Sequence, residues 1–294
     1  MEIYWDQLTQ RKWQALADQA LAPMQQRWTY GAVCSALGSA AHRAVIYQCG
    51  QPVAICQMIR RKIAGVLPTT LISRGPLWLA NCDRDKALRL IRRSAPAPRP
   101  HLRLITLAEA GKHFGMIPMM TPATQAILPL PARMQDLHGK WRNSLRKAEK
   151  SGLVYRHGAC SETQLLELLA EDQQQQLRKS YRALPAGFAL QWHRLAPKDL
   201  RLVRVSKNGQ IIASALFIIH GNTASYHIAH STALGRQYDA QRLGLWRGCA
   251  DLAARGVRQL DLGAIDTVRS PGLARFKLGT GARATQQGPS LLGI

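Results

Sequence analysis

A short pattern occurs twice in this chain, and it narrows the fold more than anything else in the sequence. Val45-Ile46-Tyr47-Gln48-Cys49-Gly50-Gln51-Pro52-Val53-Ala54-Ile55-Cys56-Gln57 reads as strand, tight turn, strand. Val203-Arg204-Val205-Ser206-Lys207-Asn208-Gly209-Gln210-Ile211-Ile212-Ala213-Ser214-Ala215-Leu216 repeats that layout. The shared kernel is Gly-Gln-x-(Val/Ile)-Ala at Gly50 and Gly209, and Asn208-Gly209 is the stronger hairpin signal. The material after each hairpin matches as well. Residues 69–73 read as a strand, 83–93 as a helix and 102–107 as a strand; 224–230, 239–255 and 259–262 follow the same order, with Gly256 as a helix stop. Two copies of one hairpin, strand, helix, strand unit follow. Helices are expected before each hairpin, over 5–21 and after the capping box Ser161-x-x-Gln164. Prolines between 118 and 131 mark the joint, giving expected domains 1–125 and 126–294.

Just after that joint comes a basic helix. Leu137, Trp141, Leu145 and Ala148 recur at helical spacing and predict a core-facing stripe. Arg142, Arg146 and Lys150 sit four apart on another face, widened by Lys140 and Lys147, with Glu149 the single acid. Gly152 suits the left-handed residue that ends a helix. The helix is either an anion-binding element set against the inter-domain cleft or a solvated face.

The formal net charge of +23 favours polyanionic company over a small neutral substrate: RNA, an acidic carrier protein or anionic lipid headgroups. Solubility alone is the competing explanation. No apolar run is long enough to span a membrane, and the first residues lack the pattern of a signal peptide, so a cytoplasmic address is expected. Six scattered cysteines without a CxxC argue for reduced, structural thiols and against a zinc knuckle. No metal motif, Walker loop or Rossmann glycine pattern is present.

Three pieces carry a resemblance to a known family. They are Arg146-Lys147-Ala148-Glu149-Lys150-Ser151-Gly152-Leu153, then Ser225-Tyr226-His227-Ile228-Ala229-His230-Ser231 followed by a helix bearing Leu245-Trp246, and Asp261-Leu262-Gly263-Ala264-Ile265 with Gly272-Leu273-Ala274-Arg275-Phe276-Lys277-Leu278-Gly279-Thr280-Gly281. In order and spacing the chain resembles the tandem GNAT-fold acyltransferases, and more closely the Fem-type peptidyltransferases and BioF2-like acetyltransferase-domain proteins. The resemblance implies an α/β (α+β) fold of two tandem GNAT-like domains, each a mixed, mostly antiparallel sheet flanked by helices. It also implies acyl or aminoacyl transfer to an amine, with no bound cofactor. The activated donor is a co-substrate: aminoacyl-tRNA in Fem-type enzymes, where the acceptor is a peptidoglycan-precursor amine, and acyl-CoA or acyl carrier protein in other relatives. Residues matching Arg142 and Arg146 would hold phosphates, and a lysine matching Lys277 would sit beside the reacting ester carbonyl.

Amine attack on an ester or thioester passes through an oxyanion and needs a positive or NH-donating group where that charge develops. It also needs the amine deprotonated. Lys277 is the candidate for the first role, with Phe276 packed inward to leave Lys277 facing the cleft; a surface lysine is the alternative. Asp261, at the end of a strand, and Asp266, in the following loop, are candidates to orient the amine, Asp266 more as a turn cap. His230 is a candidate base or a structural histidine. His227 and His230 lie three apart on a strand and are expected on opposite faces, which argues against a shared metal. Tyr30 and Tyr226 offer hydroxyls to substrate or pack in the core. CoA-dependent GNAT enzymes carry a glycine loop at a helix N-terminus that cradles pyrophosphate. The matching stretch, Arg236-Gln237-Tyr238-Asp239-Ala240-Gln241, lacks the glycines and contains an Asp, which favours a donor held by a basic surface. The competing readings are an N-acyltransferase using acyl-CoA or acyl carrier protein, and a non-catalytic module for RNA or an anionic membrane.

Overall fold

The computed structural model describes residues 1–63, 65–97, 101–109, 116–181 and 183–293. In chain order it begins with β1 (Glu2–Trp5), α1 (Gln10–Gln19), α2 (Trp28–Ala36), β2 (Ala40–Gln48), β3 (Gln51–Ile63), β4 (Leu67–Ser73), β5 (Leu77–Trp78), α3 (Arg84–Ser94), β6 (Leu102–Thr106) and β7 (Ile117–Met120). It continues with β8 (Thr124–Pro129), α4 (Gly139–Lys150), β9 (Val154–Ala159), α5 (Glu162–Lys179), α6 (Ala186–Leu195), β10 (Leu200–Lys207), β11 (Gln210–Ile219) and β12 (Thr223–Ser231). The last elements are α7 (Ala233–Gln237), α8 (Ala240–Ala254), β13 (Gln259–Ile265), α9 (Pro271–Leu278), β14 (Arg283–Gln286) and β15 (Ser290–Gly293).

The repeated hairpins form as the sequence reads. Cys49-Gly50 and Asn208-Gly209 are two-residue loops with both residues at positive φ, between Gln48↔Gln51 and Lys207↔Gln210. That is the turn whose twist matches the flanking strands. Each hairpin carries one register shift near its turn, at Ile46/Tyr47 and at Val205/Ser206.

Two compact units result: residues 1–124 with 286–294, and residues 125–285. The chain end therefore differs from the expected layout. Strand β15 pairs with β6 and β7, and Leu291 is fully buried in the first unit's core. The main-chain edge of β6 would otherwise lack a partner. The helix expected from residue 5 starts later: Trp5 ends a strand on β2, and α1 begins only after Thr9, whose side chain accepts the Lys12 amide hydrogen.

The second unit's sheet runs β14-β8-β13-β12-β11-β10-β9. Val203 and Val205 of β10 lie under Gly244 of α8, while Arg204 between them bonds to Gln164 and Glu167 of α5. Helices α8 and α5 thus cover opposite faces. Gly248 lets α8 approach closely: a Cβ there would meet the Phe217 ring at 2.4 Å. Trp141, Leu145 and Ala148 of α4 are buried in the core on the α8 side, as their spacing predicts.

Candidate functional site

The parallel strands at the centre of each unit behave differently. In the first unit β4 and β6 pair from Thr69↔Leu102 through Ser73↔Thr106. In the second, β12 and β13 pair only at Thr223↔Gln259, Ala224↔Leu260 and Ser225↔Asp261, although both strands run on, to Ser231 and Ile265. A fork opens beyond Ser225 and Asp261. Its β12 arm carries a bulge, because the register with β11 passes from Leu216↔Ile228 to Phe217↔Tyr226 and skips His227.

Lys277 stands over the other arm. Helix α9 starts with Pro271 at its first turn and is held against α4, where Trp141 donates from Nε1 to the Phe276 carbonyl at 3.0 Å. Gly279 makes that approach possible, since a Cβ would stand 2.7 Å from the Trp141 ring. Phe276 is partly buried against the core, but Lys277 is buried more deeply, with 8% of its surface exposed, and is not a surface lysine. Its Nζ donates to the Ala264 carbonyl at 2.7 Å, on the part of β13 that has left β12. Gly263, at positive φ, gives the ammonium room: a Cβ there would lie 3.4 Å from Nζ. Burial lowers the Lys277 pKa from the ordinary lysine value, and the Asp261 carboxylate works against that shift.

Asp261 is the third residue of β13, not its end. It sits at the last paired position of the fork, and its carboxylate accepts the Gly263 amide hydrogen at 2.7 Å. Asp266 caps the following turn, accepting from the amides of Val268 and Arg269 at 2.9 and 2.7 Å. Those amides lower its pKa.

On α4, Arg142 is half-buried and Arg146 and Lys150 are exposed. None of the three forms an ion pair among the described residues, because Glu149 is taken by Arg247. Sequence reasoning missed Arg242 of α8, whose guanidinium lies 6.0 Å from the Trp141 ring and 5.7 Å from the Phe276 ring. Arg242 is paired with Asp239. Asp239 is the residue before α8, in the left-handed region, and Lys147 approaches its carboxylate at 4.0 Å. The amides of Arg236, Tyr238, Asp239 and Arg242 all donate to main-chain carbonyls within this stretch or just before it. The junction therefore places the Asp239 carboxylate at the start of α8, where a pyrophosphate would have to lie. The three-residue spacing of Asp239 and Arg242 across the start of α8 was the available signal.

The bulge corrects the expectation for the two histidines. His230 pairs with Glu171 of α5 at 3.2 Å, and the His227 ring packs on Phe188 of α6 at 5.9 Å. Both turn to the α5–α6 side, because the skipped residue reverses the strand's alternation. Burial pushes the His227 pKa down to about 4. Tyr226 faces the other way, its ring on Phe217 and its hydroxyl held by Gln241 at 2.6 Å. Tyr30 belongs to α2 in the first unit, where burial and the Cys34 thiol raise its pKa. Among the described residues no group of three metal-binding side chains occurs, and no helix is long and apolar enough to cross a membrane.

A family model described as an acetyltransferase (GNAT) domain matches residues 136–278. No curated protein matches the chain. Among solved structures, FemX is similar over 100% of this chain and 97% of its own, at 13% identity and a TM-score of 0.81. L-PGS from Bacillus licheniformis (11% identity, 96% and 90% coverage) gives 0.57. A tandem GNAT protein from the clavulanic acid biosynthesis pathway (14%, 99% and 98%) gives 0.56. Residues 136–278, in the second unit, thus match an acetyltransferase (GNAT) domain model, and the chain as a whole has the fold shared by FemX and the tandem GNAT protein.

Proposed function

We propose that the second unit transfers an aminoacyl or acyl group from an activated ester donor to an amine. The observation that carries this reading is Lys277, a buried lysine at the arm of a strand fork, beside Asp261 and next to a helix whose Arg142, Arg146 and Lys150 form no ion pair among the described residues. The amine nitrogen attacks the ester carbonyl, and a C–N bond forms as the C–O bond breaks. The Lys277 ammonium stabilises the oxyanion in a site of low polarity, where a fixed charge acts most strongly. Asp261 takes the proton lost by the attacking amine, and the departing oxygen takes up a proton as it leaves. His230 is left out of this assignment because Glu171 engages its ring. Phe276 fixes the backbone that aims Lys277.

Arg142, Arg146 and Lys150 would bind donor phosphates. An aminoacyl-tRNA suits these cations and the +23 charge. Acyl-CoA suits them less well, because Asp239 occupies the α8 N-terminus. An acidic acyl carrier protein is the second reading, favoured by the same cations. Acceptors in the cell envelope, peptidoglycan precursors among them, fit the resemblance to Fem-type enzymes.

The test is transfer of labelled amino acids and acyl groups to amine acceptors in lysate, with and without RNase. Transfer abolished by RNase supports an aminoacyl-tRNA donor. Transfer that survives RNase points to a thioester donor. No transfer with either class of donor defeats the enzymatic reading.

A further inference from the structure

The first unit carries a feature that acyl transfer does not use. At the tip of the β3–β4 hairpin, Ile63 accepts the Val66 amide hydrogen at 3.2 Å, and Gly65 takes a positive φ. The side chains around this turn are apolar yet open to solvent: Ile63 is 37% exposed, Val66 77% and Leu67 46%. Leu37, 50% exposed, lies at the same end of the sheet, since Ala40 of β2 pairs with Arg60 of β3. Behind the tip come Arg60, Arg61 and Lys62 in succession. No Asp or Glu occurs anywhere in residues 19–82, so these cations have no acidic neighbour in sequence.

A hairpin tip with an apolar rim above a cationic collar is costly to leave in water and matches an anionic lipid surface in both respects. Apolar side chains enter the headgroup boundary while cations stay at the phosphates. A protein groove would satisfy the apolar rim but gives no reason for three adjacent cations. RNA would satisfy the cations but not a rim of Ile, Val and Leu.

We propose that the β3–β4 tip docks the first unit on an anionic bilayer, with Ile63, Val66, Leu67 and Leu37 inserted and Arg60 and Lys62 against lipid phosphates. This stands independently of the chemistry assigned to the second unit.

Co-sedimentation with vesicles of phosphatidylcholine, with and without 30% phosphatidylglycerol (about that fraction suffices for a surface potential), tests this directly. Arg61 is left intact because it lies close to Tyr30 and Cys34. Wild-type protein is expected to pellet with the anionic vesicles. R60Q/K62Q should weaken binding roughly 25-fold, at about fivefold per cation. V66S/L67S, which keeps every charge, should weaken it roughly tenfold or more. V268S, at an exposed valine of the second unit, is the control and should bind as wild type. Far-UV circular dichroism checks that each variant is folded. Wild type that stays in the supernatant overturns the proposal. So does V66S/L67S that binds like wild type, which would reveal charge-only adsorption, or binding that disappears in R142Q/R146Q while the hairpin variants retain it.

Discussion

Replacing Lys277 by Met separates a catalytic lysine from a structural one. The side chains are similar in length, so no large cavity opens. The Ala264 carbonyl loses its donor at 2.7 Å, which costs about 1–3 kcal/mol. Against this, the buried ammonium no longer has to be kept from water, and that offsets part of the loss. K277M should therefore change stability by no more than about 2 kcal/mol in either direction. The rate should respond far more. Removing one group that meets an oxyanion costs roughly 10²–10³ in turnover. The assay pairs kcat and KM for transfer with urea unfolding of the same preparation. A large fall in kcat with KM and unfolding midpoint nearly unchanged is expected. The pH profile adds a second readout. Burial lowers the Lys277 pKa, so wild-type kcat should fall on the alkaline side before an ordinary lysine would titrate, and K277M should lack that limb. For stability the sign is opposite. Between the lowered native pKa and the unfolded value, the unfolded chain binds more protons. The contribution of Lys277 to stability therefore rises with pH across that window and is lost as pH falls through it. A turnover loss below tenfold, or one that tracks the unfolded fraction, would refute the oxyanion assignment.

Three further outcomes follow from the geometry. R142Q and R146Q should weaken a tRNA donor and each lower the salt slope of log K by about 1, measured by filter binding; an unchanged slope would remove α4 from the donor site. D251N should destabilise by about 3–5 kcal/mol, because it leaves the buried Arg201, bonded to Asp251 at 2.9 and 3.2 Å, without its charge partner. Burial raises the Asp251 pKa, but Arg201, Arg255 and His157 outweigh it and the net shift is down; the wild-type contribution is thus lost as pH falls through that lowered value, and acid unfolding of D251N should be flatter there. G248A should cost about 1–3 kcal/mol in chemical denaturation, since its Cβ meets the Phe217 ring at 2.4 Å; a neutral result would mean that α8 can shift without loss.

Much of the architecture was written locally. Asn208-Gly209 and Cys49-Gly50 each fix a two-residue turn, because the positive φ of both residues is a property of the turn itself. The spacing of Trp141, Leu145 and Ala148 dictated which face of α4 is buried, and the Ser161–Gln164 capping box started α5. The Phe276-Lys277 pair was legible as a motif. Its burial was not, because burial depends on α9 docking against Trp141 across a gap of more than 130 residues. The histidines show the limit most clearly. Strand alternation is a two-residue rule, and one skipped residue in β12, visible only against β11, reversed the faces it assigned. Residues 286–294 followed their nearest neighbours in the sequence reading, yet they joined the first unit, because an open strand edge is satisfied by whichever chain reaches it. The sequence by itself determined the repeat and the excess of positive charge, which are read from residue order and composition, and the turns and helix faces, which rest on neighbours within a few positions. The tertiary structure alone decided the fork between β12 and β13, the burial of Lys277 over Gly263 and the placing of Arg242 near the Trp141 ring. Each of these depends on where two distant segments come to lie, and nothing in either segment alone encodes that distance.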